Sequence, residues 1–307
     1  MARPLWLAND LPGPIKNLKK LQVLFLSPSR EDYLGATILH GLREFPEIRV
    51  LDHPRYDCMY RDYPPSKLAR LHGQGFTLFG RLPESGSDRL PQGTLPDPRH
   101  FDLTIFSDIW NQTGAFLVLG AKLDPRKTAI LDGSDDPALV PQAGPWFRRP
   151  REWWRLRKIR KFPTWKREWT PQSRPNAWHR LLPPALLPIL PRPAHLRRIS
   201  FGIPAEQIVR EVPAKTKDFP AHIVDEELRG VLQAGSAAHV FASEAAYRSD
   251  LQSSRFGITQ KRSGWDCLRH YEIAANGAVS CFRDLARKPD TCATHGDWGK
   301  DSRITWV

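Results

Sequence analysis

Residues Arg255–Asp284 read RFGITQKRSGWDCLRHYEIAANGAVSCFRD, and the fold turns on how this stretch is parsed. Phe256 to Thr259 alternates apolar with small or polar residues and then gives way to Lys261-Arg262-Ser263-Gly264, after which Trp265 to Ala275 is free of Gly and Pro. The pattern predicts a strand, a cationic turn and a helix. Asn276-Gly277, the two residue types most tolerant of the left-handed conformation, should end that helix, and Ala278 to Phe282 should return as a buried strand.

On the predicted helix Trp265, Arg269, Glu272 and Asn276 share one face, while Leu268, Tyr271 and Ala275 share another. Lys261 and Arg262 precede a Gly-initiated helix start at Gly264, Trp265 and Asp266, where free N–H groups and the positive end of the dipole suit an anion. Glu272 lies about 12 Å further in at 1.5 Å per residue. A ligand touching both ends needs a phosphate and a hydroxyl-bearing group, and a nucleotide diphosphate has both. Plainer readings stand beside these: Glu272 and Arg269 as an i, i+3 surface pair, Trp265 as core, and Lys261 and Arg262 as a solvated turn.

Working outward, Leu21 to Leu26 (LQVLFL) is a continuous apolar run ending in Ser27-Pro28-Ser29, as expected of a central parallel strand. Tyr33 to Phe45 reads as a helix, and Ile48–Leu51, Asp102–Phe106 and Thr128–Leu131 as further strands. The stretch from Gly80 to Arg99 reads as a surface loop. Strands separated by helical stretches favour an open α/β sheet whose ligands sit at the carboxyl ends of the strands. Asp132, Asp135 and Asp136 fall at such an end and suit a helix cap, an acceptor contact or, less simply, a hard cation. His40, on the first helix, is either a general base facing a cleft or a packed histidine. Further on, Arg198–Ile203 reads as the strand opening a second domain, Asp225–Leu232 as a helix, Ala238–Ala242 as a strand, and Ser243-Glu244 as the N-cap of a helix through Leu251.

The formal charge of +13 is local. Residues 146–198 hold fifteen Lys and Arg against two acids, with six of the eleven tryptophans and nine of the twenty-nine prolines, and the rest of the chain is neutral. Three readings of this segment stay open: a surface for an anionic membrane, a single-stranded nucleic-acid binder, the least favoured partner, and a connector over a cleft. The division expected is therefore 1–145, an N-terminal α/β domain; 146–198, a basic Trp/Pro-rich insert or connector; and 199–307, a C-terminal α/β domain.

At 307 residues, 40% hydrophobic and 26% charged, the composition is globular and argues against wholesale disorder. Four cysteines without a pairing pattern suit a reducing, cytoplasmic setting. The first twenty residues carry three prolines and no long apolar run, so no secretory signal is expected. Cys267-x-x-His270 and Cys292-x-x-His295 permit a zinc reading, but a core thiol and a helix-surface histidine explain the first pair more simply, and no metal is expected.

The run GWDCLRHYEIAANGAV resembles the C-terminal donor-site segment of a family of GT-B-type glycosyltransferases, in which a Glu followed by small residues and a Gly opens the nucleotide-sugar pocket. Weaker echoes occur at Leu39–Arg43, Gly75–Leu78, Ile130–Pro137 and Phe201–Pro204. Gly264 stands where many of these enzymes carry a second Glu, eight positions before the first. The resemblance implies an α/β fold of two Rossmann-like domains facing a cleft, the second one short. It further implies transfer of a sugar from a nucleotide diphosphate donor to a saccharide or lipid-linked acceptor, with no cofactor. Lys261, Arg262, Gly264, Trp265, Asp266, Asn276 and Gly277 would hold the donor, Glu272 and Arg269 would be catalytic, and His40, Asp132 and Asp135 would face the acceptor.

Overall fold

Six parallel strands form one sheet in the order β2-β1-β3-β4-β5-β6: β1 Leu21–Leu26, β2 Ile48–His53, β3 Leu103–Phe106, β4 Thr128–Asp132, β5 Thr164–Lys166 and β6 Leu196–Arg198. The computed structural model describes residues 20–83, 94–137, 151, 155–170, 173, 195–233, 235–236 and 240–292. The helices are α1 Tyr33–Glu44, α2 Pro65–Leu68, α3 Thr113–Leu119, α4 Glu226–Leu232, α5 Glu244–Ser253 and α6 Leu268–Ala275. A separate parallel pair, β7 Phe256–Thr259 and β8 Val279–Phe282, brackets α6.

β1 shows why the sheet is buried on both faces. Its side chains alternate, so Val23 and Phe25 join a core roofed by α1, whereas Leu24 and Leu26 join one on the opposite face with α3 and the 157–161 turn. Both cores are apolar throughout, and each fully buried Leu or Phe contributes about 1.5–3 kcal/mol. The sheet is Rossmann-like, and the strand order reverses direction between β1 and β3. Open α/β sheets bind ligands at the carboxyl ends of the strands beside such a switch point.

Where the chain was expected to leave this sheet it instead extends it. β5 and β6 lie within the basic segment 146–198, and the strand expected at Arg198–Ile203 is Leu196–Arg198, paired with β5 rather than opening a second sheet. Of the strand expected at 238–242, residues 238–239 lie outside the described residues and Val240 is exposed and irregular. Asp225 and Ser243 cap α4 and α5 as their types predict.

The β7–α6–β8 unit is present, with two corrections. The helix begins at Leu268, three residues later than Trp265, because Asp266 is held by tertiary bonds that a helical turn would break: its N–H donates to Glu168 Oε1 at 2.8 Å, and Oδ2 accepts from Phe201 N at 3.0 Å. β8 is half-exposed rather than buried, with Val279 at 47%. The helix ends as expected. Asn276 is the C-cap, Gly277 has φ 72°, and Gly277 N and Ala278 N donate to Ala274 O and Ile273 O, the paired bonds of a Schellman stop. Gly257 lets β7 approach α6, since a Cβ there would sit 2.5 Å from Ile273.

Candidate functional site

The carboxyl edge of the sheet is lined by charge. Asp132 at the end of β4 is fully buried, and its Oδ1 accepts from Lys166 Nζ at 2.8 Å and from Trp110 Nε1 at 2.8 Å. Lys166, equally buried at the end of β5, also donates to Asp136 O at 2.6 Å. Burial raises the Asp132 pKa, and the Lys166 ammonium pulls against it. Next in sequence, Arg167 spreads its guanidinium over Gly133 O (3.0 Å), Asp135, Glu168 (3.2 Å) and Asp266 O. One fork thus ties the loops after β4 and β5 to the residues before α6.

At the switch point Asp32 caps α1, its Oδ2 accepting from Gly35 N at 2.5 Å. Burial, with the nearby Asp108 carboxylate adding to it, pushes its pKa to about 6 against the pull of Gly35 N–H, Arg167 and Arg30. Asp266 behaves alike. Burial raises it to about 6, although Tyr271 donates its hydroxyl to Oδ1 at 2.6 Å.

Glu272 lies where α5, α6 and the loop His72–Gly80 meet. Its Oε1 accepts from Thr77 Oγ1 at 2.6 Å and its Oε2 from Tyr247 OH at 2.7 Å. Thr77 N donates to Glu244 Oε1 at 3.2 Å, and Arg81 binds both Glu244 and Thr77 O, so the loop is fastened to two helices. Phe76 stacks on Tyr247 at 6.1 Å. Leu268 and Tyr271 of α6 pack into the same core as Tyr33 at the start of α1. Among the described residues Glu272 is therefore a half-buried carboxylate with two hydroxyl donors and no ion pair.

Comparison with family models, curated proteins and solved structures gives no match.

The predicted residues divide by what their side chains are already doing. Glu272 and Arg269 are half-buried on α6 and free of each other; no salt bridge joins them, so the surface-pair reading does not hold. Lys261 and Arg262 are exposed and form no ion pair among the described residues; Lys261 lies 5.9 Å over the Trp265 ring. Trp265 is half-buried and stacks on Phe282. Gly264 is buried against Glu168 and Asp135, four residues before the helix, so the helix N-terminus expected there is not at that glycine. Asn276 spends its side chain on Gln252 and Glu272 O and acts as a cap, with Gly277 as the left-handed stop.

Of the acceptor-side candidates, Asp132 is sealed behind Lys166, which removes it from direct contact with an acceptor, while Asp135 stays half-exposed against Arg167. His40 is packed, not open: its ring lies 3.3 Å from Glu44 and 3.4 Å from Glu206 and is 7% exposed. His270, expected on the helix surface, is core. Its Nε2 must donate to Trp265 O, so Nδ1 accepts from Thr259, and burial lowers its pKa to about 4. Among the described residues no three His, Cys, Asp or Glu converge as a metal site would require.

Sequence reading assigned none of Thr77, Tyr247, Glu244, Arg81 and Arg167 to the site, although Thr77 falls within the Gly75–Leu78 echo and the glycine-spaced run HGQGFTLFG, residues 72–80. No described helix is long and apolar enough to cross a membrane.

Proposed function

We infer that the chain is a glycosyltransferase of GT-B type, moving a sugar from a nucleotide diphosphate donor to a saccharide or lipid-linked acceptor. The six-stranded sheet would form the acceptor half, and the α5–β7–α6–β8 stretch the donor half. One observation carries the reading: Glu272 is an uncharged-partner carboxylate whose two oxygens are each held by a hydroxyl. A ribose or hexose diol offers the same pair of donors, and charge-assisted bonds of that kind are about twice as strong as neutral ones. Lys261, Arg262 and Arg269, which form no ion pair among the described residues, would supply positive charge for a diphosphate. Its departure builds negative charge, so fixed cations stabilise the transition state more than the ground state.

Calorimetric titration of UDP and of GDP into wild type and Glu272→Ala tests this. Binding should weaken by tenfold or more, about 1.4 kcal/mol, in the variant. Equal affinity removes Glu272 from the site, and no binding to wild type removes the nucleotide reading.

A second reading, a basic binding module for nucleic acid or an anionic membrane surface, draws on the fifteen cations of 146–198. Two of them, Lys166 and Arg167, are committed to buried acids, which thins that surface. Oligonucleotide affinity falling steeply with salt, without nucleotide binding, would favour it.

A further inference from the structure

Thr77 is held at φ 75°, a left-handed conformation that a β-branched residue adopts only under strain. What holds it there lies outside its own loop: its N–H donates to Glu244 on α5 and its hydroxyl to Glu272 on α6. Thr77 itself is 5% exposed. Gly73 and Gly75, both at positive φ, precede it and give residues 72–77 the backbone freedom to move, while Leu78 and Phe79 behind it stay anchored in the core. Tyr247, on the other oxygen of Glu272, is buried in a helix and stays as a fixed floor.

We propose that the Thr77 hydroxyl stands in for a ligand hydroxyl, and that His72–Thr77 is a clasp which the vicinal diol of a ribose or hexose displaces from Glu272. The inference rests on the nucleotide-sugar reading of that residue. Displacement replaces one hydroxyl on the carboxylate with two, since each oxygen has a spare lone pair, and lets Thr77 leave its strained backbone. Arg81, bound to both Thr77 O and Glu244, is the latch that recloses the loop. Ligand affinity is then reduced by the fraction of time that the clasp is closed.

The sign of one substitution separates a stand-in from a support. Thr77→Ala deletes the hydroxyl and keeps a Cβ at positive φ, so the closed state loses its bond but not its strain; Thr77→Ser keeps the hydroxyl. Titrating UDP and GDP into the full chain, Thr77→Ala should bind about tenfold tighter than wild type, the weight of a charge-assisted bond, and Thr77→Ser no tighter. Hydrogen exchange at Thr77, whose N–H is bonded to Glu244, should quicken when saturating nucleotide is added to wild type. Thr77→Ala binding equally or more weakly, while Glu272→Ala abolishes binding, would overturn the clasp alone. Failure of either nucleotide to bind any of these proteins would overturn the nucleotide reading and the clasp together.

Discussion

Replacing Lys166 by Met would leave Asp132 as an unpaired carboxylate in a fully buried position. The native pair is 2.8 Å apart with both side chains inaccessible to solvent, and Lys166 also serves Asp136 O. Removing one partner of a buried pair costs about 3–5 kcal/mol, which for a chain of this size is a fall in Tm on the order of 10 °C. The loss should depend on pH. Without Lys166 the folded-state pKa of Asp132, already raised by burial, rises further above its unfolded value. The folded state then holds a proton that the unfolded state has released. Stability drops as pH rises through that window, by up to about 1.4 kcal/mol per unit. Urea unfolding at pH 5 and pH 8 would measure it, with the larger deficit at pH 8. Because replacing both charges by apolar groups of similar volume is often neutral, Lys166→Met combined with Asp132→Leu should recover most of the loss. A single variant that loses less than about 1 kcal/mol at both pH values, or a double variant no better than the single, would refute the buried-pair account.

Gly257→Ala should destabilise by about 1–3 kcal/mol, because the added Cβ would land 2.5 Å from Ile273 and push α6 off β7; a denaturant midpoint matching wild type would contradict that close approach. Asp266, raised to about 6 by burial, makes wild type lose stability as pH climbs from its unfolded value near 4 towards 6, and Asp266→Asn should flatten that slope by up to about 1.4 kcal/mol per unit. An unchanged slope in the variant would assign the pH dependence elsewhere, Asp32 being the next candidate.

β1 was legible to the residue because an apolar run of six has one use in a parallel sheet, and its end at Ser27 is a chemical boundary as well as a structural one. β5 was not, because Thr164-Trp165-Lys166 reads as surface; only the tertiary partner, Asp132, explains a lysine in a central position. The basic character of 146–198 was thus read correctly as local and incompletely as to use, since part of that charge neutralises carboxylates from β4 and its loop. The end of α6 was visible in Asn276-Gly277, whereas its start was hidden, because Asp266 answers to Phe201 and Glu168, distant residues that no local propensity encodes. Glu272 stood out through the helix face it occupies. Thr77 lay inside the Gly75–Leu78 echo, but its strain at φ 75° leaves no mark on composition or period.

Arg167 has the widest reach of these features, since it binds Gly133, Asp135, Glu168 and Asp266 from one planar head group. A lysine offers three donors from a single point and cannot span the same four acceptors, so even the mildest swap would strand several of them at once. Evolutionary drift in this corner should accordingly proceed in blocks, with positions 135, 167 and 168 exchanged together or left alone, whereas the bonds to Gly133 O and Asp266 O are to backbone and survive a change of side chain there.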